Sequence, residues 1–202
     1  MTPARHIGIL GGSFNPVHIG HVMLADYIAQ CAEADPIDEV WLMLSPLNPL
    51  KVSPGELVPE NDRMAMLRLA CAMSPRLKAC DIELSMPRPS YTIDSLQALA
   101  RAYPSCRFSL IIGSDNWAIF DRWRNSREII ERFSPVIYPR PGYGVDAATL
   151  PEGVSLIPDA PVTDISSTML RRAIAAGKDM TCFLPAGVAD YIRLNNLYIP
   201  SL

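Results

Sequence analysis

The sequence predicts a doubly wound α/β domain, and three observations carry that prediction. Apolar runs of strand length alternate with stretches of helical periodicity along most of the 202 residues, as in βαβ units with parallel strands. The strand-like runs are nearly all apolar instead of alternating, which fits strands covered on both faces by helices. Proline-rich loops follow several of them, at the edge where open α/β sheets bind ligands.

The predicted strands are residues 6–10, 39–44, 77–84, 107–112, 135–138 and 154–157, and the predicted helices 20–32, 61–73, 92–102 and 167–176. A Rossmann-like, mainly parallel sheet follows from that order. The first run, His6-Ile7-Gly8-Ile9-Leu10, breaks into Gly11-Gly12 before the first helix. The next two loops hold proline clusters at 46–59 and 87–89, and the last two strands are followed by clusters at 139–141 and 158–161. Long loops at that edge are more often functional than not. The final helix begins in a run of hydroxyl residues, Ser166-Ser167-Thr168, which favour N-caps.

With about half its residues apolar, the chain is expected to form one domain over 1–202, with a helical C-terminal part from about residue 164. A net charge of −3 gives no broad basic field, so nucleic acid is disfavoured as a partner. The first five residues lack an apolar signal core, and no apolar run is long enough to span a bilayer. A soluble, cytoplasmic protein without a membrane partner is expected, and a homo-oligomer is left open. Five cysteines, an odd number without a C-x-x-C pair, read as reduced thiols.

The stretch Gly11-Gly12-Ser13-Phe14-Asn15-Pro16-Val17-His18-Ile19-Gly20-His21 reads as a phosphate site. Glycines after a strand let the backbone turn and approach a ligand, and the following helix aims N–H groups and a positive dipole end at an anion. His18 and His21, three apart, share a face if both lie in the first turn. A zinc site is the rival reading, but the chain has one other histidine, His6, in the strand pattern, and no HExxH or nearby cysteine.

A second constellation is Asp164-Ile165-Ser166-Ser167-Thr168-Met169-Leu170-Arg171-Arg172. One cap needs one hydroxyl. Three of them, with the helix N–H groups and Arg171, could line a triphosphate.

Strand, glycine turn, aromatic, proline and H-x-G-H together resemble the ATP-binding signature of the nucleotidyltransferase superfamily. The later I-S-S-T-x-x-R segment resembles the other half of that ATP site. Within the superfamily the chain resembles, over nearly its whole length, the bacterial nicotinate mononucleotide adenylyltransferases. Ser90-Tyr91-Thr92-Ile93-Asp94-Ser95-Leu96 is similar to their S-Y-T-x-x-T-L segment, with Ser95 in place of the last threonine. Gly113-Ser114-Asp115 with Trp123 eight residues on resembles their G-x-D…W, and Arg140-Pro141-Gly142 their R-P-G loop. Two further positions depart from the pattern: Asn15 stands where aspartate is frequent, and Pro49-Leu50-Lys51 lacks the histidine of P-P-H-K.

The resemblance implies a nucleotidyltransferase-type fold and AMP transfer from ATP to nicotinate mononucleotide. It implies ATP contacts at Gly11, Gly12, Ser13, Phe14, His18, Gly20 and His21, at Gly113 and Asp115, and at Ile165, Ser166, Ser167, Thr168 and Arg171. His18, His21 and Arg171 would be catalytic. Asn15, Lys51, Tyr91, Thr92, Trp123 and Arg140 would bind the acceptor, while Trp117 is read as packing. Tyr91-Thr92 and Asp115 could equally be helix caps. Magnesium is expected on the ATP phosphates, held by phosphate and water, with no protein ligand named. The alternatives are a sister enzyme acting on nicotinamide mononucleotide or phosphopantetheine, and a non-catalytic nucleotide-binding regulator. A cytidylyltransferase is disfavoured because its R-x-x-G-I-S-T-T form is not what stands at 164–171.

Overall fold

The computed structural model describes residues 4–32, 35–46 and 57–199. Lys51 therefore lies outside the described residues. Six strands form one parallel sheet: β1 Arg5–Gly12, β2 Glu39–Leu44, β3 Leu77–Cys80, β4 Cys106–Gly113, β5 Val136–Tyr138 and β6 Ser155–Leu156, in the order β3-β2-β1-β4-β5-β6. The order reverses between β1 and β4, the switch point where such sheets open a ligand crevice.

The helices are α1 Ile19–Cys31, α2 Glu60–Cys71, α3 Thr92–Ala102, α4 Ser114–Trp117, α5 Ser126–Phe133, α6 Ser167–Ala175 and α7 Val188–Leu194. Two apolar clusters show how they cover the sheet. Val22, Ile28, Met66, Leu67, Leu170 and Ile192, from α1, α2, α6 and α7, pack with Leu10 and Leu42. Ile93, Leu96, Ile129 and Phe133, from α3 and α5, pack with Ile7, Ile9 and Leu110 on the other face. Alternate residues of one strand thus feed two cores, which is why β1 and β2 read as continuous apolar runs.

The expected run 77–84 is divided. β3 ends at Cys80 and a 3-10 turn, Ile82–Ser85, follows, closed by Leu84 N–H donating to Asp81 O at 2.9 Å. Apolar residues at 77, 80, 82 and 84 suit either shape. The partners of Glu83 decide, since its buried carboxylate accepts from Ser95 Oγ at 2.7 Å and Ser45 Oγ at 2.8 Å. Strand 135–138 loses its proline, which has no N–H for a ladder, and 154–157 shortens to two residues at the edge. Helices α5 and α7, of about two turns each, lie where the periodicity predicts none: each buries only two residues, Ile129 with Phe133 and Val188 with Ile192.

His6, at the amino end of β1, is buried with Nδ1 at 2.8 Å from Pro36 O and Nε2 at 2.8 Å from Ser109 Oγ. It belongs to the core. The five cysteines are free, and burial pushes the Cys71 thiol up to about 12 and the Cys80 thiol to about 11. Among the described residues no helix is long and apolar enough to cross a membrane.

Candidate active site

Beyond Gly12 the chain runs through Ser13-Phe14-Asn15-Pro16 before α1 begins. Phe14 takes a left-handed φ of +44°. Its ring lies under Gly12, where a Cβ would come within 3.0 Å of it, and meets the His21 ring edge-on at 5.0 Å. Phe14 is thus a buried support for His21. Neither it nor Gly11 and Gly12 line the cavity described below.

His18 is the N-cap residue of α1 and His21 its third residue. The His18 N–H donates to His21 Nδ1 at 3.2 Å, and the His21 N–H to His18 O at 3.0 Å. Their rings stack with centroids 3.6 Å apart. Gly20 makes this possible, because a Cβ there would lie 2.6 Å from Thr163 Cγ2 and 3.1 Å from His18 Nδ1. Since His21 Nδ1 accepts, the neutral ring carries its proton on Nε2. Burial, helped by the Arg140 charge, lowers the His18 pKa to about 4. Burial, His18 and Arg140, in that order, hold His21 well below its ordinary value. Both rings are neutral near pH 7. His18 Nδ1 is buried without a hydrogen-bond partner in the protein, and buried polar atoms are normally completed by protein, water or a bound group.

Across the cavity stands the start of α6. Ser166 Oγ accepts the Met169 N–H at 3.2 Å, a true cap. Ser167 Oγ donates to Pro16 O at 2.8 Å, and Arg171 Nη1 to Asn15 O at 2.9 Å. The hydroxyl-rich segment therefore braces the loop after β1 as well as facing the cavity. A third wall follows β5, where the Arg140 N–H donates to Ser114 Oγ at 2.9 Å and Arg140 Nε lies 3.8 Å from Asp115 Oδ1. A side chain at Gly113 would strike Asp115 Oδ1 and approach Arg140 Cγ to 3.0 Å.

These walls enclose about 360 Å³, lined by Ser13, Asn15, His18, Gly20, His21, Arg140, Ile165, Ser166, Ser167, Thr168 and Arg171, with Leu24, Pro161 and Val162 among the apolar neighbours. Two arginines and no carboxylate stand on the described wall, so the cavity suits an anion. Gly113 and Asp115 sit just behind Arg140 and do not line it.

Tyr91, Thr92 and Trp123 are not brought to this cavity. They belong to the layer of α3 and α5. Tyr91 is the N-cap residue of α3, exposed, with the Arg124 guanidinium 4.8 Å above its ring. Thr92 opens the helix. Trp123 packs on Phe120 at 5.3 Å, and Trp117 stacks on the same ring at 5.0 Å, so the different roles read for the two tryptophans are not visible in their packing. Trp123 Nε1 is buried without a partner. Glu83 ties this region to β2, accepting from Ser90 Oγ at 3.3 Å as well as from Ser45 and Ser95.

One residue escaped the sequence reading. Arg63 is 1 % exposed. It donates to Ser13 O (2.9 Å), Ser45 O (2.8 Å), Pro46 O (2.9 Å) and Val58 O (3.1 Å), joining the loop after β1 to the end of β2. Its signal was present: a charge within the buried stripe 63, 64, 66, 67, 70 and 71 of α2.

A switch-point crevice carrying a stacked histidine pair and a hydroxyl-rich helix start defines a nucleotidyltransferase. Residues 9–173 match the cytidylyltransferase-like family. The chain is 46 % identical over 181 residues to a "probable nicotinate-nucleotide adenylyltransferase" of Bacteroides fragilis, covering 90 % of this chain and 88 % of that one. It is 48 % identical over 186 residues to a relative of the same name in Bacteroides thetaiotaomicron, covering 92 % and 90 %. The fold is shared with a Plasmodium falciparum nicotinic acid mononucleotide adenylyltransferase solved with NaAD, at a TM-score of 0.75 and 22 % identity over 96 % of this chain and 97 % of that one. The chain belongs to the cytidylyltransferase-like family and, within it, to the nicotinate-nucleotide adenylyltransferases.

Proposed function

We propose that this chain transfers the AMP of ATP to nicotinate mononucleotide, giving nicotinate adenine dinucleotide and pyrophosphate, with the triphosphate in the cavity between α1 and α6. The observation that carries this reading is the buried, unpartnered His18 Nδ1 beside a stacked, neutral His21, in a cavity that Arg140, Arg171 and the start of α6 also line. An oxygen of the acceptor phosphate attacks the α-phosphorus. The bond from that phosphorus to the bridging oxygen breaks, and pyrophosphate leaves. The substrate supplies the nucleophile, so the residues align two anions and stabilise charge on the α-phosphate and leaving group. His21 Nε2–H, Arg171 and the α6 start suit that work. Magnesium would arrive with the ATP, held by its phosphates and water.

Arg171→Ala is expected to weaken binding of a non-hydrolysable ATP analogue by about tenfold or more, the scale of a lost charge-assisted hydrogen bond, and to lower turnover with it. Arg172, which faces a shallow groove beside Met169, Ala173 and Lys178, is the control, and its alanine variant should bind normally. Calorimetric titration decides, with equal affinities for both variants removing Arg171 from the phosphate site.

The acceptor reading places the nicotinate ring and carboxylate near Tyr91, Thr92 and Trp123, where the start of α3 offers backbone N–H donors. Donors spent on a carboxylate face an NH₂ donor when the amide binds. kcat/KM for nicotinate mononucleotide should therefore exceed that for its amide by about tenfold or more. Recording pyrophosphate release with ATP and each of nicotinate mononucleotide, nicotinamide mononucleotide and phosphopantetheine tests the reading. Equal use of acid and amide refutes the acceptor, and no release with any of the three refutes the transfer.

A further inference from the structure

We propose that Tyr198 is a positioning residue of the active site, acting through the Asn15 side chain to hold the loop that presents the histidine pair. This rests on the adenylyl-transfer reading above. After α7 the chain turns at Asn196, with a left-handed φ of +51°, as asparagine does beyond helix ends. The Leu197 N–H donates to Ile192 O at 3.0 Å, and the Leu197 side chain is buried. Tyr198 then takes φ +63°, a conformation unfavourable for a bulky residue. That backbone carries its phenol to Asn15, and the hydroxyl donates to Oδ1 at 3.0 Å across 183 positions of sequence.

Tyr198 does not line the cavity, whereas Asn15 does, so the hydroxyl's hydrogen-bonded link to the cavity runs through its partner. Asn15 is 1 % exposed. Its Oδ1 also accepts the Val58 N–H, at a longer 3.3 Å, and its carbonyl accepts from Arg171. On one side of Asn15 stands Phe14, which supports the His21 ring, and three residues on stands His18. Among the described residues five remote donors thus brace the short loop: Arg63 on Ser13 O, Tyr198 and the Val58 N–H on Asn15 Oδ1, Arg171 on Asn15 O and Ser167 on Pro16 O. Burial raises the phenol's pKa above its ordinary value, against Arg171 and Arg63 and with a small contribution from Asp62. The hydroxyl therefore stays protonated and donates at any working pH.

A double-mutant cycle tests the link. Tyr198→Phe keeps the ring and removes one hydroxyl. It should lower kcat/KM for pyrophosphate release roughly tenfold, mostly in kcat, and weaken the ATP analogue several-fold, with the unfolding midpoint nearly unchanged. In an Asn15→Ala background the same change should alter kcat/KM by less than about twofold, because the contact is already cut. In Asn15→Asp, which keeps an acceptor, the tenfold effect should persist. Full activity of Tyr198→Phe, or a tenfold loss repeated in Asn15→Ala, overturns the proposal. A parent that binds the ATP analogue yet uses no acceptor would refute the transfer reading alone. Analogue binding by the same variants then decides on Tyr198, unchanged affinity in Tyr198→Phe counting against it.

Discussion

His21→Ala should fold and lose about 10² or more in kcat, the scale for removing a donor aimed at developing charge. The ring has two jobs in the structure. Its Nδ1 accepts the His18 N–H at 3.2 Å, leaving the Nε2–H for a phosphate oxygen. Loss of the first job costs about 1 kcal/mol, as for other helix caps. His21→Gln separates the two, because a glutamine at the third helical position can reach back to the cap N–H and offers an NH₂ donor. It should recover the stability lost by alanine and part of the turnover. Near-normal kcat in His21→Ala would remove the histidine from catalysis.

The depressed pKa values also set a direction for acid sensitivity. The ordinary histidine value is 6.5, and His18 in the fold titrates at about 4 with His21 also well below 6.5. Between those limits the unfolded chain binds protons that the fold refuses, so stability is complete above about pH 6.5 and declines as pH falls toward 4. Thermal melts across that range should show His21→Ala losing less on acidification than the parent.

Arg63→Met should produce the largest loss of stability. Methionine has comparable length and no donors, so four carbonyls, the buried one of Pro46 and the half-buried ones of Ser13, Ser45 and Val58, lose their partner together. At about 1 kcal/mol for each hydrogen bond lost, together with the loss of a guanidinium that is itself 1 % exposed, the cost is about 4 kcal/mol. For a chain of this size that is a fall in unfolding midpoint of roughly 10 °C. Burial lowers the pKa of the guanidinium, but an arginine remains charged, and among the described residues it makes no ion pair. Arg63→Lys restores charge without the planar fork and should recover only part of the loss. A midpoint within a degree or two of the parent for Arg63→Met would show that water replaces the guanidinium at these carbonyls.

Sequence by itself determined the parallel sheet and its helix layers, because burial on both faces writes itself as apolar runs, as in β2, where all six residues are buried. The spacing of His18 and His21 pointed to their pairing, but the structure makes it as a cap and not as a shared helical face: His18 is extended and precedes α1, and its N–H donates to the ring of the third helical residue. The division of 77–84 into strand and 3-10 turn was left to the serines around Glu83, which the fold brings in from the end of β2 and from α3. Short helices such as α5 and α7 carry too few periodic positions to be read. The roles inside the hydroxyl-rich segment were likewise tertiary: Ser166 caps, while Ser167 and Arg171 reach back 151 and 156 positions to Pro16 and Asn15. Arg63 and Tyr198 meet the loop after β1 only in the folded chain. A local pattern records what a residue does for its own helix or strand, whereas a hydrogen bond to a carbonyl fifty or more positions away leaves no periodicity to read.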